Sequence, residues 1–217
     1  MQVILKLITR TRTRGLREVL ATGLGRVREF ISSSDQLIIL ARPAVGELPE
    51  RDDLEFVVAT AQDGPRYARD IGTDSASTFA SRLTDTTRCF LVTDGSKVLH
   101  ATWVTTRSAW TRELGSYLVV PDDDCYIYES FTRADARGRG IYPFGLMGIC
   151  AWAGEQGLKR VWVGVESGNA ASLKAVAKVG FEPQLTISFR RNVGRLEVTG
   201  GQCPPGRVEM LCLRSTS

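Results

Sequence analysis

Ala136-Arg137-Gly138-Arg139-Gly140-Ile141-Tyr142-Pro143 stands between a strand-like stretch and a helix-like one, and its reading decides the fold. Two glycines let main-chain N–H groups turn toward one point, and a helix starting just after them adds the positive end of its dipole. Such a turn favours a multiply charged anion. Arg137 and Arg139 add full charges, and their planar forks suit phosphate oxygens better than an ammonium does. Taken alone the cluster is also compatible with an ordinary surface loop, so the flanking sequence carries the decision.

Downstream, residues 143–156 read as a helix, with Leu146, Met147, Ile149, Cys150, Trp152 and Ala153 recurring near the 3.6 period. Pro143 at its first position loses no intrahelical N–H, and Gly157 stops it. Residues 160–166 have the branched and aromatic content of a buried strand. Ser167-Gly168-Asn169 makes a turn and cap, and a second helix follows through Ala170, Leu173, Val176 and Ala177 to Val179. Gly180 ends it, and Phe181-Glu182-Pro183 enters another strand. Upstream, residues 54–60 read as a strand, two helices follow to about Leu83, and residues 88–92 and 97–105 form a hairpin about Asp94-Gly95. Residues 114–120 suggest a further strand, and Asp122-Asp123-Asp124 a solvated turn rather than a metal site, because no further ligand set lies near it.

This order resembles the GNAT acyltransferase superfamily on two separated motifs. The cofactor signature stands here as Arg137-Gly138-Arg139-Gly140-Ile141-Tyr142, with Tyr142 in place of the usual small residue. The second half stands as Asn169 through Lys178-Val179-Gly180-Phe181. The likeness covers roughly residues 54–214, and the Arg-Gly-x-Gly-Ile-Tyr-Pro run after a Tyr-rich strand is similar to a bacterial branch met among cell-surface polysaccharide genes. It implies an α/β (α+β) fold, a mixed and mostly antiparallel twisted sheet flanked by helices, that binds acetyl-CoA. The resemblance assigns the cofactor's diphosphate to Arg137, Gly138, Arg139, Gly140, Ile141 and Tyr142. It assigns the pantetheine arm to main-chain groups near Phe131 and Thr132, and gives Asn169 a capping role, a cofactor contact or both. The reaction implied is direct transfer of an acetyl group from acetyl-CoA to a primary amine in a ternary complex. Many relatives carry a Tyr four residues before the helix-ending Gly to protonate the leaving sulfur; Val176 stands there instead, leaving Tyr142, Tyr128 and Ser172 as candidates.

The strand 125–132 carries the acid–base chemistry on this reading. Alternation puts Cys125, Ile127, Glu129 and Phe131 on one face and Tyr126, Tyr128, Ser130 and Thr132 on the other. Glu129 is then a carboxylate among apolar neighbours, where desolvation would raise its pKa toward that of a general base. The competing reading is a carboxylate paired with an arginine.

Composition fits one catalytic domain, residues 54–217, behind an extension, residues 1–53. With 43% hydrophobic and 24% charged residues, the 217-residue chain is ordinary for a globular protein, and no apolar run approaches the ~20 residues of a membrane span. Cys89, Cys125, Cys150, Cys203 and Cys212 lack metal-ligand spacing and read as reduced thiols in a cytoplasmic protein. His100, the one histidine, sits in a strand-like stretch and reads as structural rather than catalytic, and a Ser-His-Asp hydrolase would depend wholly on it. A net charge of +4 is too small to imply a nucleic-acid partner. The basic residues nonetheless crowd the first thirty positions beside an apolar stripe of Leu16, Val19, Leu20, Leu24, Val27, Phe30 and Ile31. That is an amphipathic helix suited to packing on the domain, or to touching an anionic membrane or acidic partner through residues 1–32. Residues 36–41 read as a strand of this helical and strand extension, and residues 43–53, with Gly46 and Pro49, as a linker.

Glu113 and the Asp122–Asp124 turn would favour an amine at the acceptor entrance, although surface solvation explains them equally well; the polysaccharide-branch likeness points to an amino sugar or sugar-linked amine, and a small antibiotic or metabolite amine is equally compatible. Two readings of other classes stay open: a non-catalytic acyl-CoA-binding scaffold, and a nucleic-acid module built on the basic helix.

Overall fold

The computed structural model describes residues 32–111, 113–192, 195–199 and 212–215. The amphipathic helix expected over the first thirty-one residues, and Cys203, lie outside them.

The chain order is β1 (Ser32–Pro43), β2 (Glu55–Val58), α1 (Gly64–Asp70), α2 (Ala76–Arg82), β3 (Thr87–Thr93), β4 (Val98–Thr105), β5 (Ser108–Thr111), β6 (Ser116–Val119), β7 (Asp124–Thr132), α3 (Ile141–Glu155), β8 (Arg160–Glu166), α4 (Ala170–Lys178), β9 (Glu182–Asn192), β10 (Arg195–Thr199) and β11 (Cys212–Ser215). Eight strands form one sheet in the order β10-β9-β1-β8-β7-β4-β3-β2, and β11-β6-β5 form a second. Every neighbouring pair is antiparallel except β7–β8. The expected mixed, mostly antiparallel sheet with flanking helices is what the chain forms. The strand expected at residues 36–41 of the extension is β1, and it runs inside the sheet, hydrogen-bonded to β8 on one side and β9 on the other. The strand at residues 108–111 was not foreseen; its alternation of exposed and buried residues is only four positions long.

Each face of the main sheet buries its own apolar set. On one, α3 and α4 set Leu146, Ile149, Cys150, Ala153 and Val176 against Phe90, Val104, Cys125, Ile127, Val161, Val163 and Val165. On the other, α1 and α2 bring Tyr67, Ile71 and Phe79 onto Cys89, Leu91, Ala101 and Trp103, while Ala109, Leu114 and Leu118 cover Tyr126, Trp162 and Ile187. Fully burying a large side chain stabilises by roughly 1.5–3 kcal/mol, so these layers hold β7 and β8 firmly between them. Cys89, Cys125 and Cys150 are buried thiols whose pKa values burial raises, and they form no disulfide. No helix among the described residues is long and apolar enough to cross a membrane.

A polar seam crosses the sheet where β4 meets β7. His100 Nδ1 lies 2.7 Å from Thr132 Oγ1 and its Nε2 2.6 Å from Thr102 Oγ1, while Thr102 and Ser130 hydroxyls are 3.1 Å apart. His100 is buried, and burial pushes its pKa down to about 3, so it is a neutral structural imidazole. The unfolded chain, with an ordinary imidazole, takes up a proton below about pH 6.5, whereas the native chain does so only near 3. Stability from this residue is therefore complete above about 6.5 and declines as pH falls toward 3, by about 2 kcal/mol at pH 5. Denaturant titrations at pH 5 and pH 8 should show that loss in the parent and a smaller one in His100→Gln; equal losses would disprove the assignment.

Candidate active site

Past β7, a short 3-10 turn (Ala134–Ala136) leads into the glycine turn. Gly138 and Gly140 take φ of 79° and 73°, the left-handed region that any L side chain enters at a cost. Gly140 is the N-cap of α3, and no side chain caps the helix there. The first-turn amides are thus left to solvent or a ligand. A Cβ placed on Gly138 would meet nothing within 4 Å, so the space over the turn is open. The helix starts at Ile141, two residues earlier than the proline suggested, because the left-handed glycine supplies the turn. Pro143 sits third, still where no N–H has an intrahelical acceptor.

Arg137 and Arg139 flank this turn on its exposed side, and Arg137 Nε lies 3.4 Å from the Thr132 carbonyl. A third guanidinium joins them from the segment read as a linker. Arg51 Nη1 would lie 3.8 Å from a Cβ on Gly140, and Arg51 grips Asp53 by both carboxylate oxygens at 2.7 and 2.8 Å. No sequence signal pointed to Arg51; only the fold brings it to the turn.

β7 and β8 pair in parallel only over Asp124–Ile127 and Arg160–Val163, although both strands continue. A cleft of about 370 Å³ opens where the ladder stops. Tyr128, Glu129, Ser130 and Tyr142 line one side, Val163 to Glu166 the other, and Asn169 and Ser172 close it from the start of α4. Glu113, Thr111 and Trp110 reach it from the β5–β6 hairpin. Of the residues singled out in the sequence, Glu129, Tyr142 and Asn169 are brought together here, with Tyr128, Ser172 and Glu113. Phe131 instead packs against the Trp103 cluster, and Thr132 binds His100.

Residues 78–181 match the model of the acetyltransferase (GNAT) family. The match covers just under half of the chain, and the sheet and helices around it are those of the GNAT fold. Its GNAT fold is similar to a GCN5-related N-acetyltransferase from Sphaerobacter thermophilus (TM-score 0.54, 12% identity, covering 80% of this chain and 56% of that one). It is also similar to a conserved protein of unknown function from Staphylococcus epidermidis (TM-score 0.52, 11% identity, 82% and 67% covered). An aminoglycoside acetyltransferase from an uncultured soil metagenomic sample, solved with sisomicin, matches at TM-score 0.46 and 11% identity over 59% of this chain and 88% of that one. No protein with a curated description matches significantly.

The GNAT match spans α2, the glycine turn and α4, and so includes both partners of the cleft's ion pair. Arg82 Nη2 lies 2.6 Å from Glu129 Oε2 and 3.3 Å from the Tyr128 hydroxyl. Asp74 holds the other arm of Arg82 at 2.5 Å, and the guanidinium carbon sits 3.9 Å from the centre of the Trp103 ring. The expectation of Glu129 among apolar neighbours is corrected by this pairing. The expected face is corrected too. The β4–β7 register slips between Trp103↔Glu129 and Val104↔Ile127, a bulge at Tyr128 that puts Glu129 and Phe131 opposite to Cys125 and Ile127. Bulges re-aim a side chain, and here Glu129 gains both the cleft and Arg82.

Two of the candidate acids in this cleft are phenols under burial. Tyr142 bonds to Ser130, and its hydroxyl is pushed up to about 12 by burial. A thiol near 8.5 would draw that proton only uphill. Burial also raises Tyr128, while Arg82 acts the other way. Asn169 caps α4, its side-chain oxygen accepting from Ser172 N at 3.1 Å. Val176 is wholly buried, so nothing from that position reaches the cleft.

The acidic triplet requires a correction as well. Asp122 and Asp123 are exposed, but Asp124 is fully buried, accepting from Trp162 Nε1 at 2.7 Å and Arg160 Nε at 3.0 Å. It anchors the closed end of the β7–β8 ladder, away from the cleft. No group of three or more His, Cys, Asp or Glu among the described residues is placed to hold a metal ion.

Proposed function

We propose that the protein is an N-acetyltransferase that moves the acetyl group of acetyl-CoA to a primary amine bound in the cleft. The observation that carries this is the cleft itself. It opens where β7 and β8 part, Tyr142 of the glycine-turn helix lies on its wall, and Glu129 faces into it. The residues fit the cofactor: bare helix amides, open space above Gly138 and the guanidinium groups of Arg137 and Arg139 suit a diphosphate. Acetyl-CoA, when bound, would supply the thioester whose C–S bond breaks as the acceptor's N–C bond forms, the sulfur taking up the proton that the attacking nitrogen sheds. Glu129 receives the acceptor's ammonium and accepts its proton directly or through water, freeing the nitrogen lone pair. Arg82 holds the carboxylate toward the cleft. Main-chain groups near Phe131 and Thr132, with Asn169, complete the cofactor's seat.

Glu113, Glu129 and Glu166 give the cleft three carboxylates, which favour a cationic acceptor. Trp110, an exposed indole on the rim, packs edge-to-face on Tyr117 with ring centres 5.2 Å apart. An aromatic surface beside carboxylates suits an amino sugar, whose ring packs on the indole while its ammonium meets Glu129. Dependence on acetyl-CoA fits a cytoplasmic location within the same proposal.

The buried Val176 favours a second reading, a scaffold that binds acyl-CoA without turning it over. Thiol release from acetyl-CoA, followed with glucosamine, benzylamine and butylamine in turn, separates the two. The enzyme should release thiol only when an amine is present, and faster with glucosamine. Tight acetyl-CoA binding with no amine-dependent release would leave the scaffold.

A further inference from the structure

We propose that Arg51 and Arg139 form an outer phosphate subsite beside the glycine turn, and that Asp53 occupies it when the cofactor is absent. The inference rests on the acetyl-CoA reading above and deepens it. Coenzyme A carries a diphosphate and, apart from it on the ribose, a 3′-phosphate. The turn amides face one anion; the Arg51 and Arg139 guanidinium groups lie on its solvent flank, where a second would project.

Asp53 already shows what this flank accepts. Its carboxylate takes both arms of Arg51, at 2.7 and 2.8 Å, and lies 3.8 Å from Arg139 Nη2. A forked guanidinium bound to two oxygens of one anion is the geometry that also serves phosphate. All three side chains are substantially exposed, so the contact is exchangeable, and a dianionic phosphate outbids a single carboxylate. Arg51 then leaves Asp53 for the cofactor, and part of the binding free energy is spent on displacing the internal anion.

Calorimetry with coenzyme A and with dephospho-coenzyme A, which lacks only the 3′-phosphate, tests this on the full chain. The parent should prefer coenzyme A. Arg51→Ala should weaken coenzyme A roughly tenfold, the loss of one charge-assisted contact, and leave dephospho-coenzyme A unchanged. Asp53→Asn should tighten coenzyme A about threefold, the scale of one exposed ion pair, and that gain should vanish in Arg51→Ala/Asp53→Asn. Equal weakening of both ligands by Arg51→Ala, or none, would overturn the outer subsite while leaving the cofactor assignment intact. A parent that binds neither ligand would overturn the acetyl-CoA reading and this inference with it.

Discussion

Gly140→Asp is expected to reduce coenzyme A affinity about a hundredfold while the protein stays folded. Three effects act in the same direction. The residue has φ of 73°, where an L side chain costs about 1–2 kcal/mol unless the turn rearranges and takes its amides out of line. A carboxylate at an N-cap bonds to the amides of the first turn, so the new side chain would hold the very groups assigned to the diphosphate. It would also repel any phosphate that approached. Capping itself is favourable, which offsets the strain and keeps the helix intact. Gly140→Ala separates the contributions, since it brings strain without charge and should cost only about tenfold. Arg137→Ala, which removes one guanidinium, should fall in the same range. Calorimetry paired with thermal melting reads all three, and a folded Gly140→Asp protein with parental affinity would remove the diphosphate from this turn.

Glu129→Gln should lower the amine-dependent turnover about 100- to 1000-fold and leave coenzyme A affinity unchanged. The substitution keeps shape and leaves an oxygen that can still accept from Arg82, so the bulge at Tyr128 and the stack on Trp103 persist. What disappears is the charge proposed to receive an ammonium and to take its proton. Single-turnover thiol release with saturating acetyl-CoA isolates this step from cofactor binding. Parental rates in the variant would mean that the proton leaves by another route, through solvent alone or through Glu113 or Glu166 across the cleft.

The run from β7 to α4 was legible because its signals are local. Apolar periodicity marked α3, Gly157 and Gly180 marked the helix stops, and Asn169 marked a cap, each read within a few residues of where it acts. The bulge at Tyr128 was not legible, since it depends on which residue of β4 lies opposite, and simple alternation assumes a regular ladder. Arg82 lies 47 positions from Glu129 and sits on a helix whose periodicity says nothing of a partner across the sheet. Arg51 was hidden in a stretch rich in Pro and acids, where composition argues for a linker. Asp124 looked like one third of a solvated triplet; its burial follows from the Trp162 indole and the Arg160 guanidinium that β8 delivers. Long-range pairing, not propensity, decided each of these cases.

β1 enters the sheet between β8 and β9, with Leu37 opposite Glu166 and also on the cleft wall. During synthesis this strand emerges more than a hundred residues before either neighbour exists, and closing so long a loop is entropically slow. Until then its hydrogen-bonding edges await partners, and the wall of the cleft is missing. Maturation of the pocket is therefore tied to translation of residues 160–192, and a nascent chain released before them would carry the glycine turn without a finished chamber beside it.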